Sequence, residues 1–277
     1  MLVNLKEILI PAKENHTAVG HFNVINLEMA RAVIAAAEEE AVPIVLGIEE
    51  GQSKICPMEE FASFALEMAF NAAVPVAVHL DHGKTFSGCM RAVKLGFTSV
   101  NYDCSGETLE ENQNKVAEMV KIAHSLDASV EAELGRTPEA AELADGEEKT
   151  SFTDPEQAAE YVRNTGIDAL AISVGSAHGQ YMVKPKIDYE RIRAISSAAD
   201  IPLVMHGGSG LSDSAIRKSI EAGITKIDIF TDLDISAAQG CIQAVNDGVN
   251  SYAEIIPYIE HSVKTAALEK IRLLQNR

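Results

Sequence analysis

IPLVMHGGSGLSDSAIRKSIEAGITKIDIFT, residues 201–231, contains one complete architectural unit. It opens with an apolar strand (202–206), passes through a glycine-rich turn that starts at His206, and enters a helix-periodic stretch (212–223). Ser212 is the N-cap candidate of that helix and Gly223 its closer, and a second apolar strand (226–230) follows. Strand, short turn, helix, strand is the building block of parallel α/β folds.

The same unit recurs in both directions from this segment. Strand-like runs fall at 18–24, 43–48, 75–80, 99–103, 128–134, 169–174, 202–206 and 226–230. Helix-periodic stretches lie between them at 26–40, 57–72, 86–96, 108–126, 154–166, 188–199 and 212–223. Thr108, Asp154, Asp188 and Ser212 are N-cap candidates, and Gly96, Gly166 and Gly223 are closers. Eight strands alternating with helices predict an α/β fold, a single (β/α)8 TIM barrel over residues 1–277. Residues 232–277 read as C-terminal helices that pack on the barrel or on another subunit. A doubly wound open sheet is the structural alternative.

Composition narrows the function classes. The chain carries 23 Lys and Arg against 41 Asp and Glu, a net charge of −18. Such a surface repels nucleic acid and anionic membrane, so no nucleic-acid partner is expected. No apolar run approaches the roughly 18 residues of a membrane span, so no membrane role is expected either. The amphipathic N-terminus has no cleavable small-residue site, and the 4 cysteines have no paired spacing. Both features point to reduced thiols in the cytoplasm.

Three histidines stand just past apolar runs: His82 in VAVHLDHG, His178 in AISVGSAHG and His206 in PLVMHGGSG. In a barrel, chemistry gathers at the C-terminal ends of the strands, where these residues fall. Three imidazoles from three strand ends meet the needs of an open zinc site, with the remaining position left for substrate. Of the other histidines, His16, His21, His124 and His261 read as ordinary core or surface residues. His79 reads as support for the site or as core. Asp81, beside His82, is the candidate general acid/base. Both can reach one site only if the strand ends there, because neighbours on a regular strand face opposite ways.

Two glycine segments flank these histidines. HGGSG before a helix presents backbone amides to an anion, and His178-Gly179 followed by Lys184 offers a second anion contact. Thr231 adds a hydroxyl after strand eight. Glu131 and Glu133 share a face of strand five and Asp103 ends strand four, so Glu133 and Asp103 are candidates for a second metal position or for orienting the ligands. Residues 135–153, polar and acidic, read as a long loop of the kind that forms lids. These features together predict metal-assisted chemistry on a phosphorylated molecule.

The chain at this point resembles the class II, zinc-dependent ketose-bisphosphate aldolases, the family of fructose- and tagatose-bisphosphate aldolases. The resemblance rests on FNVINLEMARAVIAAAEE, HLDHGKTF, GFTSVNYDCS, VEAELGR, TDPEQAAEYVRNTGIDALAISVGSAHG, PKIDYERI, PLVMHGGSGL and TKIDIFTDL. It implies zinc on His82, His178 and His206, with Asp103 and Glu133 as a second position. It implies that Asp81 exchanges a proton with the aldehyde oxygen or the C4 hydroxyl. The phosphate of dihydroxyacetone phosphate would sit on Gly179, Gly207, Gly208, Ser209 and the segment Asp228, Ile229, Phe230, Thr231, with a monovalent cation (Na+ or K+) nearby. A homodimer or homotetramer is implied as well.

The departures from the family pattern bear on substrate choice. Asp228 stands where the family has an asparagine, and like charge beside a phosphate costs about 1 kcal/mol at 4 Å in water and more when buried. Phe230 replaces an acid or small residue, and Glu49 in GIEEG replaces the serine of a V-S-E-G pattern. The lid has no Gly-Gly, and its base is one of Glu139, Glu142 and Glu147. These changes predict aldol chemistry on a phosphorylated ketose whose acceptor end differs from glyceraldehyde 3-phosphate. Two other readings compete. A zinc hydrolase or epimerase lacks the expected HxH pair in GHFNV, and a non-catalytic paralogue would have no need of Asp81 and all three histidines.

Overall fold

Eight parallel strands follow one another around a closed ring in chain order. They are β1 (Val19–Asn23), β2 (Ile44–Glu49), β3 (Val76–Gly83), β4 (Ser99–Tyr102), β5 (Ser129–Leu134), β6 (Ala169–Ile172), β7 (Leu203–Met205) and β8 (Ile224–Ile229). The ring closes where β1 pairs with β8, from Val19 against Lys226 to Phe22 against Ile229, which rules out an open sheet. The computed structural model describes residues 1–144 and 152–276.

The helices are α1 (Leu5–Glu14), α2 (Leu27–Glu40), α3 (Met58–Asn71), α4 (Phe86–Leu95), α5 (Leu109–Ser125), α6 (Ala140–Ala144), α7 (Pro155–Thr165), α8 (Tyr189–Ala199), α9 (Asp213–Ala222), α10 (Thr231–Asn246) and α11 (Tyr252–Leu274). The caps expected from sequence are made. The side chains of Thr108, Asp154, Asp188 and Ser212 each accept the backbone N–H three residues on. Gly96, Gly166 and Gly223 close their helices at positive φ, which costs a glycine little.

Two elements depart from expectation. The N-terminal segment forms α1, capped by Asn4 in a reciprocal box with Glu7. Its Leu5, Ile8 and Leu9 pack with Val19, Val45, Ala77, Ala169 and Val204 inside the ring, so α1 plugs the barrel at the strands' N-terminal ends. The segment expected as a loop after β5 carries the short helix α6. The C-terminal helices pack together, α11 lying on α2 and α10.

Strand alternation then sorts the barrel interior into levels. Small and apolar side chains fill the end next to α1. Above them come His21, His79, Asn101, Glu131 and Lys226, all buried. The opposite end opens on the candidate site.

Candidate active site

His82, His178 and His206 converge. Their ring nitrogens include one from each residue within 4.8 Å of the others. His82 packs edge-on against His178 and His206, with ring centroids 4.9 and 4.6 Å away. The three arrive by different routes. His206 directly follows β7. His178 lies six positions beyond the end of β6, further out than a strand-end residue, and the neighbouring loop holds it in place. Its N–H donates to the Pro138 carbonyl at 2.9 Å, and its carbonyl accepts from Ala140 N–H at 2.7 Å.

His82 and Asp81 share the site by a device the sequence reading did not anticipate. β3 does not end at Asp81 but continues to Gly83 through a bulge. Leu80 pairs with Val100 and Gly83 with Tyr102, so β3 has one extra residue there. His82 takes up the extra residue in the left-handed region, φ 45°. A non-glycine residue there costs about 1–3 kcal/mol, strain of the kind met at functional sites. His82 Nε2 lies 4.0 Å from Asp81 Oδ1.

The residues around the triad orient it. Asp103 Oδ2 accepts from His82 Nδ1 at 3.0 Å, and Lys84 and Ser105 hold that carboxylate in turn. Glu133 Oε2 stands 3.9 Å from ring nitrogens of both His82 and His206. Glu131 Oε1 faces His206 Nε2 at 3.3 Å. His178 Nε2 and His206 Nδ1 are buried with no hydrogen-bond partner, as nitrogens directed at a metal would be. The donor set of three imidazoles with carboxylates behind them fits a divalent ion. His82, Asp103 and Glu133 form a second convergent group beside the first.

Charge follows geometry. Burial alone would lower the His82 imidazole, but the carboxylates of Asp81, Asp103 and Glu133 raise it to about 10. Burial, reinforced by His206 and His82, lowers His178 to about 3. For Asp81, burial pushes upward and the His82, His21 and His206 rings outweigh it, keeping the carboxyl ionised. Asn23 Nδ2 donates to Asp81 Oδ2 at 2.7 Å, which leaves Oδ1 without a partner.

Asn23, Asp81, His82, Asp103, Glu133 and His178 line a cavity of about 480 Å³. One wall is Gly207, Ser209 and the first turn of α10 at Thr231. Ser209 Oγ accepts from Phe230 N–H at 3.2 Å and Asp232 N–H at 3.3 Å, tying the β7 loop to that helix start. A Cβ on Gly207 would lie 2.1 Å from the Ala177 carbonyl oxygen, so the glycine lets the loops touch.

The match to known proteins is made along the whole chain. The family model for class II fructose-bisphosphate aldolase covers residues 3–277. The chain belongs to the class II fructose-bisphosphate aldolase family. It is 40% identical over 261 residues to the fructose-bisphosphate aldolase of Staphylococcus aureus strain Mu50, covering 92% of this chain and 88% of that one. The Staphylococcus epidermidis RP62A fructose-bisphosphate aldolase is 39% identical over 258 residues, covering 91% and 88%. The crystal structure of the YdjI aldolase from Escherichia coli K12 superposes with a TM-score of 0.89 at 35% identity, covering 99% and 97% of the two chains. The protein is accordingly a class II aldolase, a carbon–carbon lyase, from a metal-dependent family.

Within this aldolase several residues sit differently from expectation. Lys184 lines a separate cavity with Lys186, Arg193 and Lys218. The reason is that the chain doubles back after His178: a Cβ on Gly175 would lie 2.2 Å from the Lys186 carbonyl oxygen, and Asp188 N–H donates to Val174. Gly208 packs against Ile227 and Asp228 rather than lining the cavity. Asp228, expected to press its charge on a phosphate, is met from inside the barrel by Lys226 at 2.8 Å and His21 at 3.0 Å. Glu49, Ile229 and Phe230 line the cavity. Of the lid acids, Glu139 lines it, with Oε1 3.8 Å from His178 Nδ1. Glu142 turns away into a two-pronged pair with Arg136, and Glu147 lies outside the described residues.

Asn23, Lys226 and the role of His21 were missed from sequence. Asn23 carries no motif of its own. Lys226 looks like one polar residue in a strand, and only barrel closure brings it against Glu131 of β5, beneath the site.

Proposed function

We propose that this protein is a zinc-dependent aldolase that reversibly cleaves a phosphorylated ketose, of the fructose- or tagatose-bisphosphate type, into dihydroxyacetone phosphate and an aldehyde. The acceptor end departs from glyceraldehyde 3-phosphate. The observation that carries the reading is the convergence of three histidine nitrogens with Asp81 Oδ1 unpartnered beside them.

His82, His178 and His206 would hold the zinc, with Asp103 and Glu133 behind it as a second position. A bound divalent ion supplies Lewis acidity that stabilises negative charge developing on a ketone oxygen. Asp81 takes the C4 hydroxyl proton as the C3–C4 bond breaks, and returns it to the aldehyde oxygen in condensation. Asn23 fixes that carboxylate through Oδ2 and so aims Oδ1. The donor phosphate sits on Gly179, Gly207, Ser209 and the start of α10 at Thr231, where the N-terminus of a 16-residue helix favours an anion. A sodium or potassium ion serves the same seat. Glu139 moves the proton at the donor carbon. The protein works in the cytoplasm as a homodimer or homotetramer.

The test is cleavage of ketose phosphates by protein reconstituted with zinc, alongside exchange of the donor proton of dihydroxyacetone phosphate with deuterium from solvent. Chelation should abolish both, and zinc should restore both. Glu139→Gln should slow exchange about 100-fold or more, the usual scale of a lost general base. Tightly bound zinc with neither cleavage nor exchange would favour a binding role instead.

A further inference from the structure

The two halves of the cavity have opposite electrical character. The half at β7 and β8 is mostly backbone, Gly207, Ser209 and the positive end of α10, and the carboxylate there, Asp228, is met by Lys226 and His21. The half at β2 and β3 is carboxylate. Glu49 pairs in register with Asp81 on the adjacent strand, which puts it about one strand spacing, ~4.8 Å of backbone, from the proton-transfer group. Burial and the Asp81 carboxylate raise the Glu49 carboxyl above its ordinary value, against the opposing pull of His82 and Lys84. Lys84 and Arg136 also line the cavity, but neither cation is free. Lys84 is bound to Asp103, and Arg136 is forked onto Glu142 at 2.8 and 2.7 Å. Among the described residues, the wall beyond Asp81 offers no lysine or arginine without an acid partner.

Aldol chemistry fixes how a substrate lies across these halves. The donor phosphate occupies the α10 end, C2 and C3 face the histidines, and the C4 hydroxyl meets Asp81. Whatever follows C4 must then run past Asp81 toward Glu49. A hydroxylated chain can donate hydrogen bonds to that carboxylate, whereas a second phosphate would be repelled by it.

Resting on the aldolase reading above, we propose that the acceptor half takes an uncharged, hydroxylated tail. The preferred substrates are then ketose 1-phosphates with a single phosphate rather than ketose bisphosphates, and Glu49 is the residue that selects between them.

The experiment compares kcat/KM of the zinc-reconstituted full chain for fructose 1-phosphate and tagatose 1-phosphate with the two 1,6-bisphosphates. In the reverse direction it compares glyceraldehyde with glyceraldehyde 3-phosphate. The monophosphates and the uncharged aldehyde should be favoured at least about tenfold, the effect of one unscreened like charge at contact range. Glu49→Ser and Glu49→Gln should each shift that ratio toward the bisphosphates by about tenfold. Because a ratio is read, partial loss of fold in either variant does not mask the result. A wild-type preference for bisphosphates, or a ratio unmoved in both variants, overturns the proposal. Exchange of the donor proton separates the two levels. Exchange without monophosphate preference defeats the tail assignment alone, and loss of both exchange and cleavage defeats the aldolase reading and the tail assignment with it.

Discussion

Asp81 illustrates what a single side chain needs to become chemically useful. Its carboxylate is buried, held on one oxygen by Asn23, and left open on the other. Burial alone would protonate it, and the surrounding imidazoles reverse that. Asp81→Asn should therefore lower kcat by about 10² to 10⁴, the range for a lost acid/base group. Zinc content should stay at the wild-type level, because the three histidines remain. Steady-state cleavage kinetics beside metal analysis check this, and loss of zinc together with activity would make Asp81 a ligand instead. Sequence exposed the pair Asp81-His82 but not how adjacent residues face one site. The bulge that turns them together is a property of β3 against β4, invisible in either strand read alone.

At the scale of elements, the proposed donor-phosphate seat depends on how closely two loops approach. Gly207 has φ 71° and no room for a Cβ against Ala177, and Ser209 bridges to the first amides of α10. Gly207→Ala is expected to destabilise the fold by about 1–3 kcal/mol, from the left-handed conformation and the displaced loop. The KM for dihydroxyacetone phosphate should rise with it. Thermal unfolding and condensation kinetics on the same preparation measure both, and an unchanged KM would remove this loop from the phosphate seat. The HGGSG motif stood out in the sequence as an anion seat, and the structure puts its Gly207 and Ser209 on the cavity wall and Gly208 off it. Lys184 was misplaced because chain distance from His178 says nothing of a loop that folds back under itself.

For the molecule as a whole, the cost of the site is the buried charge beneath it. Lys226 is fully buried between Glu131, at 3.0 Å, and Asp228, at 2.8 Å. Lys226→Met should destabilise by about 3–5 kcal/mol, because it strands two carboxylates in the barrel interior. Denaturant unfolding measures this, and a loss below about 1 kcal/mol would mean that water reaches the acids. The same group predicts how stability depends on acid. Burial pushes the Glu131 carboxyl up, but Lys226 and the His206 hydrogen bond outweigh it and hold it at about 2, below its ordinary 4.5. A carboxyl depressed on folding stabilises fully above its unfolded value, so this contribution is whole above about pH 4.5 and disappears toward pH 2. Glu131→Gln should flatten stability over that window, as followed by unfolding free energy against pH. An unchanged slope would assign acid sensitivity to other groups.

What the sequence determined by itself was the periodic information. Alternating apolar runs and capped helices specified eight strands, their order and the end of the barrel where the histidines fall, because strand and helix periods are written locally along the chain. Only the tertiary structure decided which polar residues meet across it. Lys226 against Glu131, His21 on Asp228, Asn23 on Asp81 and Glu49 beside Asp81 are contacts between strands, set by barrel closure and register. No single segment contains that geometry.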